Sequence, residues 1–192
     1  MNSKSMDICD KTTIETLRLI IIPLNYEQLI KYAKCDNSLE AALNLDKSSR
    51  TISDELREAL EQAIIPSVAD RNKDYLYSTI WTAILKTENK MVGDICMYGE
   101  PDEKGTVEIG YGTYDEFCNN GYMTEIVAEL IDWLKKQGRV ERVRASTEKS
   151  NAASFRVLEK NGFIKIGEAG NLLTWELKIL PQENTLSTKE IE

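Results

Sequence analysis

The chain of 192 residues contains no histidine. That absence removes Ser-His-Asp and Cys-His catalysis and every histidine-liganded metal site. Acid–base chemistry must then run through carboxylate, Tyr, Ser, Cys, Lys or water. Cysteine is scarce: Cys9, Cys35, Cys96 and Cys118 are scattered, with no CxxC pair. Such spacing fits reduced thiols in a cytoplasm better than a disulfide framework or a zinc centre. Positive charge is short, with 24 Lys and Arg against 32 Asp and Glu and a net charge of −8. Nucleic acid is therefore not an expected partner, because its grip needs Lys and Arg gathered on one surface. An acidic surface serves solubility and is compatible with a cationic substrate. Long apolar runs are missing as well. The best, Leu17–Leu24, is interrupted by Arg18 and Pro23 and falls short of the ~20 residues of a membrane span. The polar opening Met1–Thr13 lacks the apolar core of a secretory signal. The expectation is a cytoplasmic protein with no membrane contact and no metal.

What is present fits one domain with a real core. Its expected limits are 13–180, between a flexible 1–12 and a flexible polar tail at 181–192. Ile14–Ile22 is β-branched and ends at Pro23, which predicts a strand. Asn25 and Ser53 are helix caps; the first helix has Leu29, Ile30 and Ala33 inside, the second Leu56, Leu60, Ala63 and Ile64. A shorter helix is expected within Asp36–Leu45, and Pro66 should kink or end the one capped by Ser53. Tyr77–Leu85, Met91–Tyr98 and Thr106–Thr113 read as an antiparallel meander. Helix Gly121–Gln137, strand Val140–Thr147 and helix Asn151–Lys160 follow. Phe163–Gly167 and Leu172–Ile179 close the chain as a hairpin. The strand–helix–strand unit requires one parallel pair, so the sheet is mixed.

Three places could carry chemistry. The turn Cys118-Asn119-Asn120-Gly121-Tyr122 runs straight into a helix, whose first N–H groups have no partner and whose dipole is positive there. Such a turn can wrap an anion, although an ordinary helix start looks the same. In Val107-Glu108-Ile109-Gly110-Tyr111-Gly112, alternation puts Glu108 on one face with two bare glycines. Glycine there marks close approach of a ligand, or simply a twisted sheet edge. Asn151 is a natural cap for the last helix, and Ser154 sits on its first turn. Cys118 lies near a helix start but has Asp115 and Glu116 beside it, which oppose a thiolate, so a thiol nucleophile is the weaker reading.

Together these segments resemble the GNAT acyl-CoA N-acyltransferase superfamily, and within it the ribosomal-protein N-terminal acetyltransferases. The residues that carry the likeness are Ile14-Glu15-Thr16-Leu17-Arg18-Leu19, Glu108-Ile109-Gly110-Tyr111, Gly121-Tyr122-Met123-Thr124-Glu125, and Asn151-Ala152-Ala153-Ser154-Phe155-Arg156-Val157-Leu158-Glu159-Lys160-Asn161-Gly162-Phe163. The resemblance implies an α+β (mixed α/β) fold. Its central sheet of about seven mostly antiparallel strands would be flanked by helices and splayed between the fourth and fifth strands. It implies acetyl-CoA in the split as acyl donor. The pyrophosphate would lie on Asn119, Asn120, Gly121, Tyr122, Met123 and Thr124, and the pantetheine along Ile109, Gly110 and Tyr111. Asn151 would lie near the cofactor and Ser154 near the departing thiolate, with Glu108 as base, directly or through water. The implied acceptor is a primary amine, on a protein N-terminus or a small molecule, and the implied state is monomer or homodimer. A non-catalytic acyl-CoA-binding module with the same fold is the alternative. One departure stands out. The family turn has Gln or Arg, two residues, Gly, one residue, then Gly or Ala; here those anchors are Cys118, Gly121 and Met123. The turn thus brings no cation and one bulky side chain, which predicts weakened CoA binding.

Overall fold

The computed structural model describes residues 12–179. Of the expected flexible ends, 1–12 and 181–192, all but residue 12 lie outside that range. The first predicted strand is two: β1 (Ile14–Glu15) folds back on β2 (Leu19–Pro23), pairing Ile14 with Ile21 and Glu15 with Ile20. Thr16 makes the reversal, because its Oγ1 accepts the Leu19 N–H at 2.8 Å and the Arg18 N–H at 3.1 Å.

Beyond it come α1 (Tyr26–Lys34), α2 (Ser38–Ala42) and α3 (Asp54–Ala59). Asn25 caps α1 in a reciprocal box with Gln28, and Ser53 caps α3, both as the sequence predicts. Pro66 does not stop the next helix. A π turn at Leu60–Ile64 widens the coil just before α4 (Ile65–Ala69), where Pro66 occupies the first turn and its missing N–H costs nothing. Tyr75–Tyr77 forms a 3-10 turn rather than the start of a strand, held by the Asp74 carboxylate on the Leu76 N–H.

The meander is β3 (Ile80–Leu85), β4 (Lys90–Met97) and β5 (Thr106–Thr113). Then come α5 (Tyr122–Lys136), β6 (Arg142–Glu148), α6 (Ala152–Lys160), β7 (Ile164–Ala169) and β8 (Leu172–Lys178). The described strands make one eight-stranded sheet in the order β1-β2-β3-β4-β5-β6-β8-β7. Only β5–β6 is parallel. The count exceeds the expected seven because the first strand divides.

Alternation gives the sheet two buried faces. Trp81, Ala83, Val107, Ile109 and Val143 pack under the apolar stripe Ile126, Val127, Leu130, Ile131 and Leu134 of α5. Ile22, Ile80, Ile84 and Met91 pack on the opposite face beneath Leu29, Tyr32, Leu39 and Leu60. Every residue of β3 is therefore buried. The sheet opens where the resemblance implies, between the fourth and fifth strands counted with β1 and β2 as one. The β5–β6 register runs from Thr106↔Arg142 only to Ile109↔Ala145, yet β5 continues to Thr113 and β6 to Glu148. Past Ile109 the two strands part. No described helix is long and apolar enough to cross a membrane.

Candidate active site

The turn before α5 is built to present amides. Asn119 and Gly121 both have positive φ, 65° and 77°, a left-handed conformation that glycine adopts freely and asparagine tolerates. Gly121 is the N-cap, and no side chain caps the helix. The N–H groups of the first turn are thus left for something outside it. The turn's carbonyls, by contrast, are already used. Asn120 Nδ2 donates to the Phe117 and Cys118 carbonyls, each at 3.2 Å, and Arg18 Nη1 donates to the Asn120 carbonyl at 3.1 Å.

Arg18 also holds the helix itself. Its Nε donates to Glu125 Oε2 at 2.7 Å, Thr16 Oγ1 donates to Glu125 Oε1 at 2.5 Å, and the guanidinium lies 4.7 Å from the Tyr122 ring centre. The opening block Ile14–Leu19 and the block Gly121–Glu125 are therefore two halves of one clamp, although more than a hundred residues separate them. Asn161 closes the other end, donating from Nδ2 to the carbonyls of Thr124 at 3.2 Å and Val157 at 2.9 Å. Met123, bulky by the family pattern, points inward and is buried; its methyl group sits over Gly93 of β4, 3.1 Å from where a Cβ would stand. The missing side chain at Gly93 makes room for it.

A cleft of about 440 Å³ runs from this turn to α6. Asn119, Gly121, Tyr122, Met123 and Thr124 line one wall, Asn151, Ser154, Arg156 and Lys160 the other, and Tyr111 the floor. Asn120 faces inward to the loop and is absent from the lining. Asn151 Oδ1 accepts the Ser154 N–H at 3.0 Å as a helix cap, and the Ser154 carbonyl accepts the Tyr111 hydroxyl across the split at 3.2 Å. Burial pushes the Tyr111 phenol up to about 12, so it stays a donor. Arg156 and Lys160 supply the cations that Cys118 does not. Neither has an ionic partner among the described residues, and sequence reasoning passed them over. Their i, i+4 spacing behind the Asn151 cap was the available signal. Uncapped amides, two cations and no carboxylate fit a diphosphate.

The gap also receives strand backbone. The Glu108 carbonyl accepts the Tyr98 N–H and the Tyr114 N–H reaches the Val92 carbonyl, both at 3.0 Å. Even-numbered peptide groups of β5 therefore face β4. Those of Ile109, Tyr111 and Thr113 face β6, and beyond Ile109 they face the opening. Gly110, between them, spends its peptide on β4.

A second cavity of about 480 Å³ lies on the opposite face of the same strand segment. Both cavities touch Tyr111, Gly112 and Thr113. Gly110 and Gly112 form its bare floor, as the strand pattern predicts, and the Tyr98 ring leans over Gly110. Asp94, paired with Gly112 in register, stands at the inner end. Leu56 and Ala59 of α3, Ile64 of the π turn and Ile80 of β3 make apolar walls. Glu108 shares this face but lies beyond the cavity, exposed, with its Oε1 accepting the Ser146 hydroxyl at 3.2 Å. Cys118 is exposed at the rim of the first cleft, its thiol 3.7 Å from the Tyr114 carbonyl.

Comparison with known proteins gives the family and the fold. A family model described as Acetyltransferase (GNAT) domain matches residues 18–164. The uncharacterized N-acetyltransferase YjdG of Bacillus subtilis is 34% identical over 95 residues, 50% of this chain and 56% of that protein. YnaD of the same organism, also an uncharacterized N-acetyltransferase, is 30% identical over 84 residues, 44% of this chain and 49% of its own length. The chain thus spans about half the length of the curated relatives it matches. Among solved structures, ribosomal-protein-S5-alanine acetyltransferase from Vibrio fischeri superposes with a TM-score of 0.62 at 19% identity, covering 88% of this chain and 97% of that one. RimL, a ribosomal L7/L12 alpha-N-protein acetyltransferase in complex with coenzyme A, gives 0.61 at 17% identity, covering 87% and 98%. At these identities the structures speak for the fold.

Proposed function

The chain belongs to the GNAT acetyltransferase family, and from that footing we propose that it moves an acetyl group from acetyl-CoA to a primary amine by direct attack. Acetyl-CoA supplies the activated thioester. In this reading the amides of Asn119 to Thr124, with Arg156 and Lys160, hold its diphosphate. Ile109, Gly110 and Tyr111 border the pantetheine, which lies along the free edge of β5 like an added strand. Asn151 borders the cofactor from α6. Ser154, with the Tyr111 hydroxyl beside it, hydrogen-bonds the departing sulfur. The observation that carries the reading is the end of the β5–β6 ladder at Ile109↔Ala145, beside a helix start that no side chain caps.

The amine enters from the second cavity and meets the donor beside Tyr111–Thr113, the segment that lines both spaces. Holding both substrates at that point contributes more than either proton transfer. The amine must shed a proton before it can attack. Two carboxylates stand by the bare face of β5, Glu108 at its exposed end and Asp94 of β4, paired with Gly112, at the inner end. Glu108, the one the strand pattern singles out, would act through water. A protein N-terminus and a small amine are both acceptor classes of this reading. The protein works in the cytoplasm as a monomer or homodimer, with neither nucleic acid nor membrane as partner.

Titration with acetyl-CoA tests the donor half. At a hundredfold excess over Kd it should stabilise the native state by about 2.7 kcal/mol and raise the melting temperature accordingly. No shift at millimolar acetyl-CoA would end the proposal. Thiol release with a panel of amines then separates an enzyme from a non-catalytic binding module.

A further inference from the structure

The two cavities that share Tyr111–Thr113 have opposite charge. Among the described residues, the donor cleft is lined by Arg156 and Lys160 and by no carboxylate. Among the same residues, the second cavity is lined by Asp94 and Glu55 and by no Lys or Arg. Glu55 is exposed at the rim; Asp94 is half-buried at the inner end, with its Oδ1 shielded from solvent.

Asp94 is held by hydroxyls alone. Its Oδ2 accepts from Tyr32 of α1 and Tyr114, each at 2.7 Å. Thr82 stands at the paired position on β3, but its Oγ1 closes no hydrogen bond, and Asp94 Oδ1 is likewise buried without a donor. The nearest guanidinium is engaged elsewhere. Arg50 lies 4.0 Å from the Tyr32 ring centre, donates to the Tyr32 carbonyl at 2.8 Å and faces Glu40 at 3.9 Å, so its charge reaches Asp94 without a direct ion pair. Hydroxyls supply hydrogen bonds but no charge. A buried carboxylate without a direct counter-ion is costly, and here it stands in a cavity large enough for a ligand.

Resting on the acetyltransferase reading above, we propose that Asp94 receives the acceptor's ammonium group and takes its first proton, and that the acceptor is a primary amine on an apolar body with no carboxylate beside the nitrogen. An ammonium carries three N–H donors and no acceptor, and so matches a carboxylate whose Oδ1 has no donor of its own. Leu56, Ala59, Ile64 and Ile80 suit an aliphatic or aromatic body. A second carboxylate on the acceptor would face Asp94 and Glu55 across an apolar space. Burial raises the Asp94 pKa above the usual carboxylate range, against the hydroxyls and Arg50 that lower it. Burial lowers that of an amine, so in this cavity the neutral pair gains on the ion pair. The proton count closes. One N–H bond breaks and an O–H bond forms on Asp94. The freed nitrogen pair bonds the acetyl carbon, the carbon–sulfur bond breaks with its electron pair on sulfur, and the nitrogen's surplus proton goes to that sulfur. Asp94 then releases its proton to solvent.

The experiment compares Asp94→Asn with Glu108→Gln in kcat/KM for phenethylamine, with the acetyl-CoA Kd measured by calorimetry on the same samples. Asp94→Asn should lose at least about a hundredfold in kcat/KM and bind acetyl-CoA as the wild type does. A larger loss in Glu108→Gln, or wild-type turnover in Asp94→Asn, overturns the assignment. Should Asp94→Asn fail to fold, the wild-type protein decides. Phenethylamine should be acetylated at least about tenfold better than phenylalanine, which has the same body plus a carboxylate. Equal or reversed preference overturns the acceptor class. If the wild type transfers nothing to any amine, the enzyme reading fails separately. The ammonium site is then judged by melting temperature, which phenethylamine should raise and phenylalanine should not; no rise overturns it.

Discussion

The two faces of one short strand segment do opposite electrostatic work. On the α5 and α6 side, a helix start, Arg156 and Lys160 gather positive potential around a cleft. On the α1 and α3 side, one carboxylate held by two tyrosine hydroxyls sets a negative point in an apolar cavity. Between them lies the segment Tyr111 to Thr113, which has glycine at 112 and no charged side chain. A charged side chain in the partition would bias both sides at once. Keeping it bare lets a polyanionic donor and a cationic acceptor approach the same atoms without sharing counter-charges. The net charge of −8 thus hides a local arrangement that composition cannot reveal.

The largest way to break this contrast is to fill the partition's support. A Cβ at Gly93 would stand 2.7 Å from the Gly112 carbonyl oxygen, 3.1 Å from the Met123 methyl and 3.2 Å from the Thr113 Cα. Two of those neighbours are β5 backbone and cannot swing aside. Gly93→Ala should cost about 1–3 kcal/mol, the usual penalty of overpacking, and lower the melting temperature by about 5 °C. Because it displaces Gly112 and Thr113, it should weaken acetyl-CoA and amine together. A thermal melt and two titrations check this. Loss on one side only would mean that the cavities do not share a wall in the way described.

A smaller, one-sided effect sharpens the contrast. Removing both cations in Arg156→Ala/Lys160→Ala should weaken acetyl-CoA about tenfold, since hydrogen bonds to charged groups are the strong ones. The loss should shrink as salt is raised, because exposed charges are screened. The KM for the amine should stay put. Calorimetry at two salt concentrations measures it, with acetyl-pantetheine as the control that carries no diphosphate and should show no change. An unchanged acetyl-CoA Kd would leave the first cleft without its cationic character.

Much of the fold was legible because it depends on local signals. Caps at Asn25, Ser53 and Asn151, the apolar stripe of α5 and the alternation in β5 each act within a few residues. The sheet split was predicted through the family likeness and is seen in the early end of one ladder. The missed break at Thr16 is a side-chain hydrogen bond that β-branched neighbours concealed. The site was half legible. The turn and the bare face of β5 announce themselves through glycine. Asp94 does not, because it reads as the polar member of an alternating strand. Its meaning comes from Tyr32 and Tyr114, 62 and 20 residues away, and from the lack, among the described residues, of an ion pair to it, which no spacing encodes. Arg156 and Lys160 read as the solvated side of a helix until α5 is placed opposite.

The smallest effect tests the negative side by stability rather than activity. Desolvation raises the folded-state pKa of Asp94, and the proton on each of its partners Tyr32 and Tyr114 is held more tightly, again chiefly by burial. A carboxyl raised in this way contributes its full stability below the unfolded value of about 3.9. That contribution is lost as pH climbs through the folded value. Asp94→Asn has no such charge to bury. Its melting temperature relative to the wild type should therefore rise from acid to neutral pH, with Arg50 and Glu40 unchanged in both proteins. Phenethylamine should then narrow the gap at neutral pH by stabilising only the protein that retains the carboxylate. A gap that falls with pH would mean that Arg50 already neutralises Asp94, and the cavity would lose its reason to prefer a cation.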